Sequence, residues 1–210
     1  MNVSQELQEF WNKSSGEMIY NLSGVRDGVT VETRDKSSKA LVAYLLDKSE
    51  IAENSNVLDF GCGVGRLSRA FNKQGHTVIG VDVSPRMLHY AKFYCKGCGI
   101  RFELCDGLSC RPVEDDWADV LISYFVFQHM PTRDMVKQNL EDFARVVKSG
   151  GLACIQSRAT GSVKDLERVS CKGVRFEMDE FVALTKSFGF RFEDSVEKSS
   201  GIYKMQFIKL

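Results

Sequence analysis

What the chain lacks narrows it first. Lys+Arg and Asp+Glu are equal at 28 each in 210 residues, so no excess of either sign pulls it toward phosphate backbones or anionic lipid. Only 3 prolines occur, and no Pro-rich linker, low-complexity block or internal repeat breaks the sequence, which argues against tethered domains and solenoids. No apolar run approaches the roughly 20 residues that a bilayer crossing needs. The opening MNVSQELQEFWNK has neither the basic start nor the apolar centre of a secretory signal. These absences set the expectation of a soluble, cytoplasmic protein with no nucleic-acid and no membrane partner, its oligomeric state open. The 7 cysteines, an odd number, fit reduced thiols better than a closed disulfide framework.

What is present is ordinary globular composition, 43% hydrophobic and 27% charged, in a length that suits one domain. From about residue 39 short apolar strands alternate with helical segments. KALVAYLLD reads as a helix, NVLDF as a strand, RLSRAFNKQ as a helix, TVIGVD as a strand and SPRMLHYAKFYC as a helix. IRFELC and WADVLISYF follow as strands, PTRDMVKQNLEDFARVVK as a helix and GLACIQS as a strand. The tail offers the helix MDEFVALTKSF and two strands, FRFEDSVE and IYKMQFIKL, joined around Lys198–Gly201. The pattern predicts an α/β fold: a Rossmann-like, doubly wound, mostly parallel sheet with an antiparallel C-terminal strand pair in a single domain. Residues 1–38 are expected to form an N-terminal covering segment, residues 39–210 the domain, and residues 158–177 a short insertion. Ser84-Pro85 and Pro131-Thr132 are expected to open helices, and Gly150-Gly151 and Gly189 to follow helix ends.

Residues 57–65, VLDFGCGVG, place glycines at alternate positions directly after a buried strand. Glycine there lets a ligand approach the backbone without meeting a Cβ. A dinucleotide fingerprint, G-x-G-x-x-G, would put its third glycine where Arg66 stands, and no G-K-[ST] follows for a triphosphate. At the second strand end, Asp82 is placed to accept from the two hydroxyls of a ribose, whatever nucleoside carries it. At the third, the carboxylate of Asp106 and the N–H of Gly107 suit an exocyclic amine and a ring nitrogen of adenine, or else form a solvated turn.

Five segments in order, VLDFGCGVGRLSRAF, VIGVDVSPRMLHYAK, FELCDG, WADVLISYFVFQHMP and FARVVKSGGLACIQ, resemble the successive motifs of the class I S-adenosylmethionine-dependent methyltransferases. The likeness covers residues 40–157 and leaves residues 1–38 unaccounted for. It implies S-adenosyl-L-methionine as cofactor, with S-adenosyl-L-homocysteine as product. It also implies that Asp59, Gly61 and Gly63 contact the methionine part, that Asp82 holds the ribose, and that Val83 packs beside adenine. Asp106 and Gly107 would read the adenine edge, and Ser123 would offer a backbone carbonyl to the cofactor's amino group. Carboxylates and carbonyls suit a cationic sulfonium and ammonium better than a phosphate cradle would.

The resemblance puts the acceptor against residues 123–131, SYFVFQHMP. His129 there is a candidate proton acceptor, with an orienting hydrogen-bond role as the alternative. The Asn/Asp-Pro-Pro-Tyr signature of many nucleic-acid amino methyltransferases is missing, and so are the paired glutamates of some metal-assisted relatives. A small-molecule acceptor methylated on O or N, with no catalytic metal, is therefore the expectation. Cys95, Cys98, Cys105 and Cys110 offer four thiols, but their places on a strand end and a loop argue against one zinc site. Cys62 in the glycine loop is expected to pack, and Trp11 and Tyr20 are candidates to close over the cofactor. A non-catalytic partner protein of the same fold, or a nicotinamide-dependent oxidoreductase, is the rival reading.

Overall fold

A computed structural model of the chain describes residues 3–22, 31–48, 51–158, 173–198 and 202–210. Its contacts divide the chain into two compact units, Met1–Gly107 and Leu108–Leu210.

The first unit contains α1 (Val3–Leu22), α2 (Val31–Lys48), β1 (Asn56–Phe60), α3 (Arg66–Asn72), β2 (Thr77–Asp82), α4 (Pro85–Tyr94) and β3 (Arg101–Leu104). β2 lies between β1 and β3, and both pairings are parallel. β1 and β2 are buried over nearly their whole length, as strands covered on both faces must be. The strands NVLDF and TVIGVD therefore fall where their continuous apolar runs predict. Ser84 caps α4 by accepting from the Met87 N–H at 3.2 Å, with Pro85 in the first turn. α2 packs on α3 and α1 on α4.

Two glycines of this unit make room for one ring. A Cβ at Gly80 would lie 2.8 Å from two ring atoms of Phe102, and one at Gly65 would lie 2.9 Å from a third. Gly65 also sits at φ 78 as the cap of α3. The third glycine of VLDFGCGVG thus serves the approach of helix to strand. Phe102 joins Cys62, Leu88, Ala91 and Cys95 in one buried cluster.

The second unit contains β4 (Ala118–Ser123), a single 3-10 turn at Phe127–His129, α5 (Arg133–Val146), β5 (Val147–Arg158), α6 (Met178–Ser187), β6 (Phe190–Lys198) and β7 (Ile202–Lys209). β4 and β5 are parallel, while β7 runs antiparallel between β5 and β6. The mostly parallel α/β class and its antiparallel C-terminal pair are as expected. Edge-to-face phenylalanine contacts hold this unit together: Phe127 with Phe143 at 5.8 Å and Phe181 at 5.7 Å, and Phe192 with Phe207 at 5.7 Å. Such pairs add roughly 0.5–1.5 kcal/mol each beyond the area they bury.

Three boundaries differ from the expectations. α5 starts at Arg133 with Thr132 as its cap, so Pro131 precedes the helix and does not open it. α5 runs into β5 without a glycine stop, and Gly150-Gly151 lie inside the strand. There the register slips, with Ala118 opposite Val147 but Val120 opposite Leu152, and Gly150 takes φ 78 in the irregular stretch. α2 begins well before Lys39, so the 38/39 boundary falls within a helix. Of the supposed insertion, residues 159–172 lie outside the described residues. Among the described residues no helix is long and apolar enough to cross a membrane.

The Gly80 notch gives a direct test. Gly80→Ala should cost roughly 1–3 kcal/mol in denaturant unfolding, because the new methyl meets a ring in a packed core. Phe102→Leu in the same chain should recover part of that loss. Additive losses in the double variant would show that the ring is not what the methyl meets.

Candidate functional site

The site grows from the last residue of β2. Asp82 is 8% exposed. Its Oδ2 accepts from the Gly63 N–H and its Oδ1 from the Ser84 N–H, both at 2.8 Å. One carboxylate therefore ties the glycine loop to the start of α4. The loop is also pinned from behind, since the Gly61 and Cys62 N–H groups donate to the Val81 carbonyl at 2.8 and 3.0 Å. Gly61 and Gly63 sit at φ 72 and φ 55. A Cβ on Gly63 would meet nothing within 4 Å, so the backbone there faces open space. A carboxylate offers about four acceptor positions, so Asp82 keeps acceptor capacity beyond its backbone bonds, as contact with a ribose hydroxyl would require.

Asp59, in β1, is turned toward α3. Its Oδ2 accepts from the Ser68 N–H at 3.0 Å and from the Ser68 hydroxyl at 2.6 Å. Burial pushes this carboxyl up to about 6 against the two Ser68 bonds, and the nearby Asp82 charge adds to the rise. Asp82 is likewise pushed up to about 6 by burial, against the backbone bonds from Ser84, Gly63 and Val83. Neither carboxylate has a Lys or Arg among its described hydrogen-bond partners. Two buried acids without a bonded cation favour a ligand that carries positive charge.

The carboxyl ends of β2 and β3 carry a second layer that the sequence reading did not resolve. Ser4, Gln8 and Asn12 recur every fourth residue along one face of α1. The Ser4 hydroxyl donates to the Asp106 carbonyl. The Gln8 amide donates to the Val83 carbonyl at 3.2 Å. The Ser84 hydroxyl donates to Asn12 Oδ1 at 2.7 Å. The spacing of these three polar residues was the available signal, hidden in a mostly polar segment. Val83 and Gly107 are buried, and the Asp106 side chain is exposed. Trp11 packs edge-on against Phe10 at 5.2 Å, and the Tyr20 side chain lies outside the described residues.

In the second unit, Ser123 ends β4 with its hydroxyl fully buried and unpartnered. The following aromatics divide by role. Phe127 is 1% exposed and belongs to the phenylalanine core, whereas Phe125 is 50% exposed at φ 63. A bulky residue in the left-handed region is strained, and such strain gathers at functional segments. His129 shares a 3.0 Å contact through Nε2 with the Gln128 amide.

Burial pushes the Cys62 thiol well up, which suits packing and not nucleophilic attack. Among the described residues no three His, Cys, Asp or Glu side chains gather around a possible metal position.

Residues 58–155 match the family model described as a methyltransferase domain. The chain is 33% identical over 122 residues to a malonyl-[acyl-carrier protein] O-methyltransferase of Hamiltonella defensa, covering 58% of this chain and 45% of that protein. It is 28% identical over 153 residues to the methyltransferase GfsG of Streptomyces halstedii, covering 70% of this chain and 54% of that protein. The chain thus spans about half the length of these relatives. In three dimensions it superimposes on the magnesium protoporphyrin IX methyltransferase of Synechocystis with bound SAM at a TM-score of 0.75. That match has 16% identity and covers 100% of this chain and 98% of the other.

The two raised carboxyls have a consequence for stability. Each is near 6 when folded and near 3.8 otherwise, so between those values the folded chain binds the extra protons. Their contribution to stability is therefore largest below about pH 4 and falls as the pH rises through about 6. Unfolding of wild type and of Asp82→Asn, measured at intervals from pH 4 to pH 7, should show a shallower decline in the variant. Identical pH slopes would show that Asp82 does not titrate in this window.

Proposed function

We propose that this chain is a class I S-adenosylmethionine-dependent methyltransferase, which binds S-adenosyl-L-methionine and transfers its methyl group to O or N of a small-molecule acceptor. S-adenosyl-L-homocysteine is the product. The single observation that carries the reading is Asp82, one carboxylate holding the glycine loop and the α4 cap while keeping lone pairs for a ribose. A cytoplasmic location goes with it.

When bound, the cofactor supplies a methyl group on a sulfonium, open to in-line displacement by a lone pair of the acceptor. The protein's share is positioning and charge. Asp82 takes the ribose hydroxyls. Gly61 and Gly63 admit the methionine part close to the backbone, and the buried carboxylate of Asp59, held by Ser68 in the first turn of α3, complements its cationic charge. Val83 packs beside the adenine, while Asp106 and Gly107 read its edge. Ser123 contributes its carbonyl to the cofactor's amino group. The segment 123–131 presents the acceptor, with His129 holding or receiving the proton of the attacking group. The strained, exposed Phe125 supports the assignment of this segment to ligand contact.

Asp82→Ala should weaken S-adenosylmethionine binding roughly 10- to 100-fold, the loss expected for hydrogen bonds to a charged group, with an unchanged far-UV spectrum. Isothermal titration with the sulfonium nucleoside and with NAD decides the class. Tight NAD binding without any response to S-adenosylmethionine would overturn the proposal. Incubating a metabolite extract with the protein and a donor bearing a deuterated methyl group, followed by mass spectrometry, should reveal the labelled acceptor.

A further inference from the structure

At the end of the β4, β5 and β7 layer one buried side chain is out of keeping with its surroundings. Gln156, near the end of β5, is 1% exposed, and both its amide nitrogen and its amide oxygen lack a hydrogen-bond partner. An orphaned donor and an orphaned acceptor on one buried side chain are costly, and leucine or methionine would fill the same space at no such cost. A group kept under that penalty is matched to something that enters.

The register says what stands beside it. Gln156 is directly opposite Lys204 in the antiparallel pairing of β5 with β7, so the two side chains leave the sheet on the same face. The Lys204 ammonium lies 5.6 Å from the centre of the Tyr124 ring, which places the residue after β4 on that face too. The face therefore gathers an amide with both hydrogen-bonding functions open, a cation and an aromatic wall. The turn that carries Gln128 and His129 packs against β5.

We propose that Tyr124, Gln156 and Lys204 form the seat of an oxyanion on the methyl acceptor, a carboxylate or phosphate, with Gln156 as the specificity-determining residue. This rests on the methyltransferase reading above. Lys204 supplies the charge that a neutral acceptor would not need. The Gln156 amide nitrogen donates to one oxygen of the anion, and its amide oxygen accepts from a hydroxyl or N–H of the same acceptor. Tyr124 covers the carbon skeleton. The substrate class is therefore a small organic acid bearing a hydroxyl or amine within reach of its anionic group.

The test separates this proposal from the one beneath it. A metabolite extract is split on an anion-exchange resin, each fraction is incubated with the protein and deuterated-methyl donor, and products are read by mass spectrometry. Label should appear in the anionic fraction, and phosphatase treatment of that fraction beforehand distinguishes phosphate from carboxylate. Gln156→Leu and Lys204→Met should each lower labelling at least tenfold while the affinity for S-adenosylmethionine stays within twofold of wild type. The unliganded Gln156→Leu protein should melt roughly 2–4 °C higher than wild type, since the substitution removes orphaned polar atoms. Label confined to the neutral fraction, or no label in the anionic fraction from a protein that binds the donor, overturns the oxyanion seat. A lower melting temperature for Gln156→Leu overturns it without reference to activity, because the amide would then be satisfied within the fold. Failure to bind the donor at all defeats the methyltransferase reading itself.

Discussion

The arrangement of the first unit depends on one carboxylate. Asp82 sits where β2 ends, and its two oxygens face in two directions, one to the glycine loop after β1 and one to the first turn of α4. Two chain reversals are thus indexed to one side chain. Burial makes that carboxylate hold its proton more tightly than usual, to about 6, so the same group is both a brace and a charged surface with little to neutralise it. The Ser68 bonds to Asp59 repeat the device one strand away, anchoring α3 to β1. A ligand with hydroxyls and positive charge meets needs that the fold itself leaves open.

Packing enforces the rest. Phe102 occupies the space left by Gly65 and Gly80, which brings β3, β2 and the glycine loop to a close fit. In the second unit, the segment after β4 is fixed at Phe127 by rings from α5 and α6 and is exposed at Phe125.

Much of this was legible in the residues. Strands of the parallel type are continuous apolar runs bounded by glycine or acid, so NVLDF and TVIGVD were found to the residue. Ser84-Pro85 announces a helix start because a hydroxyl and a ring without an N–H solve the same end problem. α1 was not legible, because its polar docking residues Ser4, Gln8 and Asn12 interrupt the apolar positions Val3, Leu7, Phe10 and Trp11 and make the segment read as polar. Gly150-Gly151 misled for a related reason: a glycine pair after a helix reads as a stop, but here it serves an irregular register inside β5. That Asp59 lies in the first strand and Asp82 ends the second was readable from position. That Asp59 is committed to Ser68 depends on side-chain direction, which spacing does not reveal.

The contacts of α1 with the strand ends have a consequence for how such a protein diversifies. At Val83 and at Asp106 the helix bonds to the main-chain carbonyl, not to the side chain. Every amino acid offers that carbonyl. The docking of α1 is therefore indifferent to what stands at these two positions, and their side chains can drift or be reselected without dislodging it. Evolution keeps the brace in the backbone and leaves the vocabulary of recognition to the residues around it.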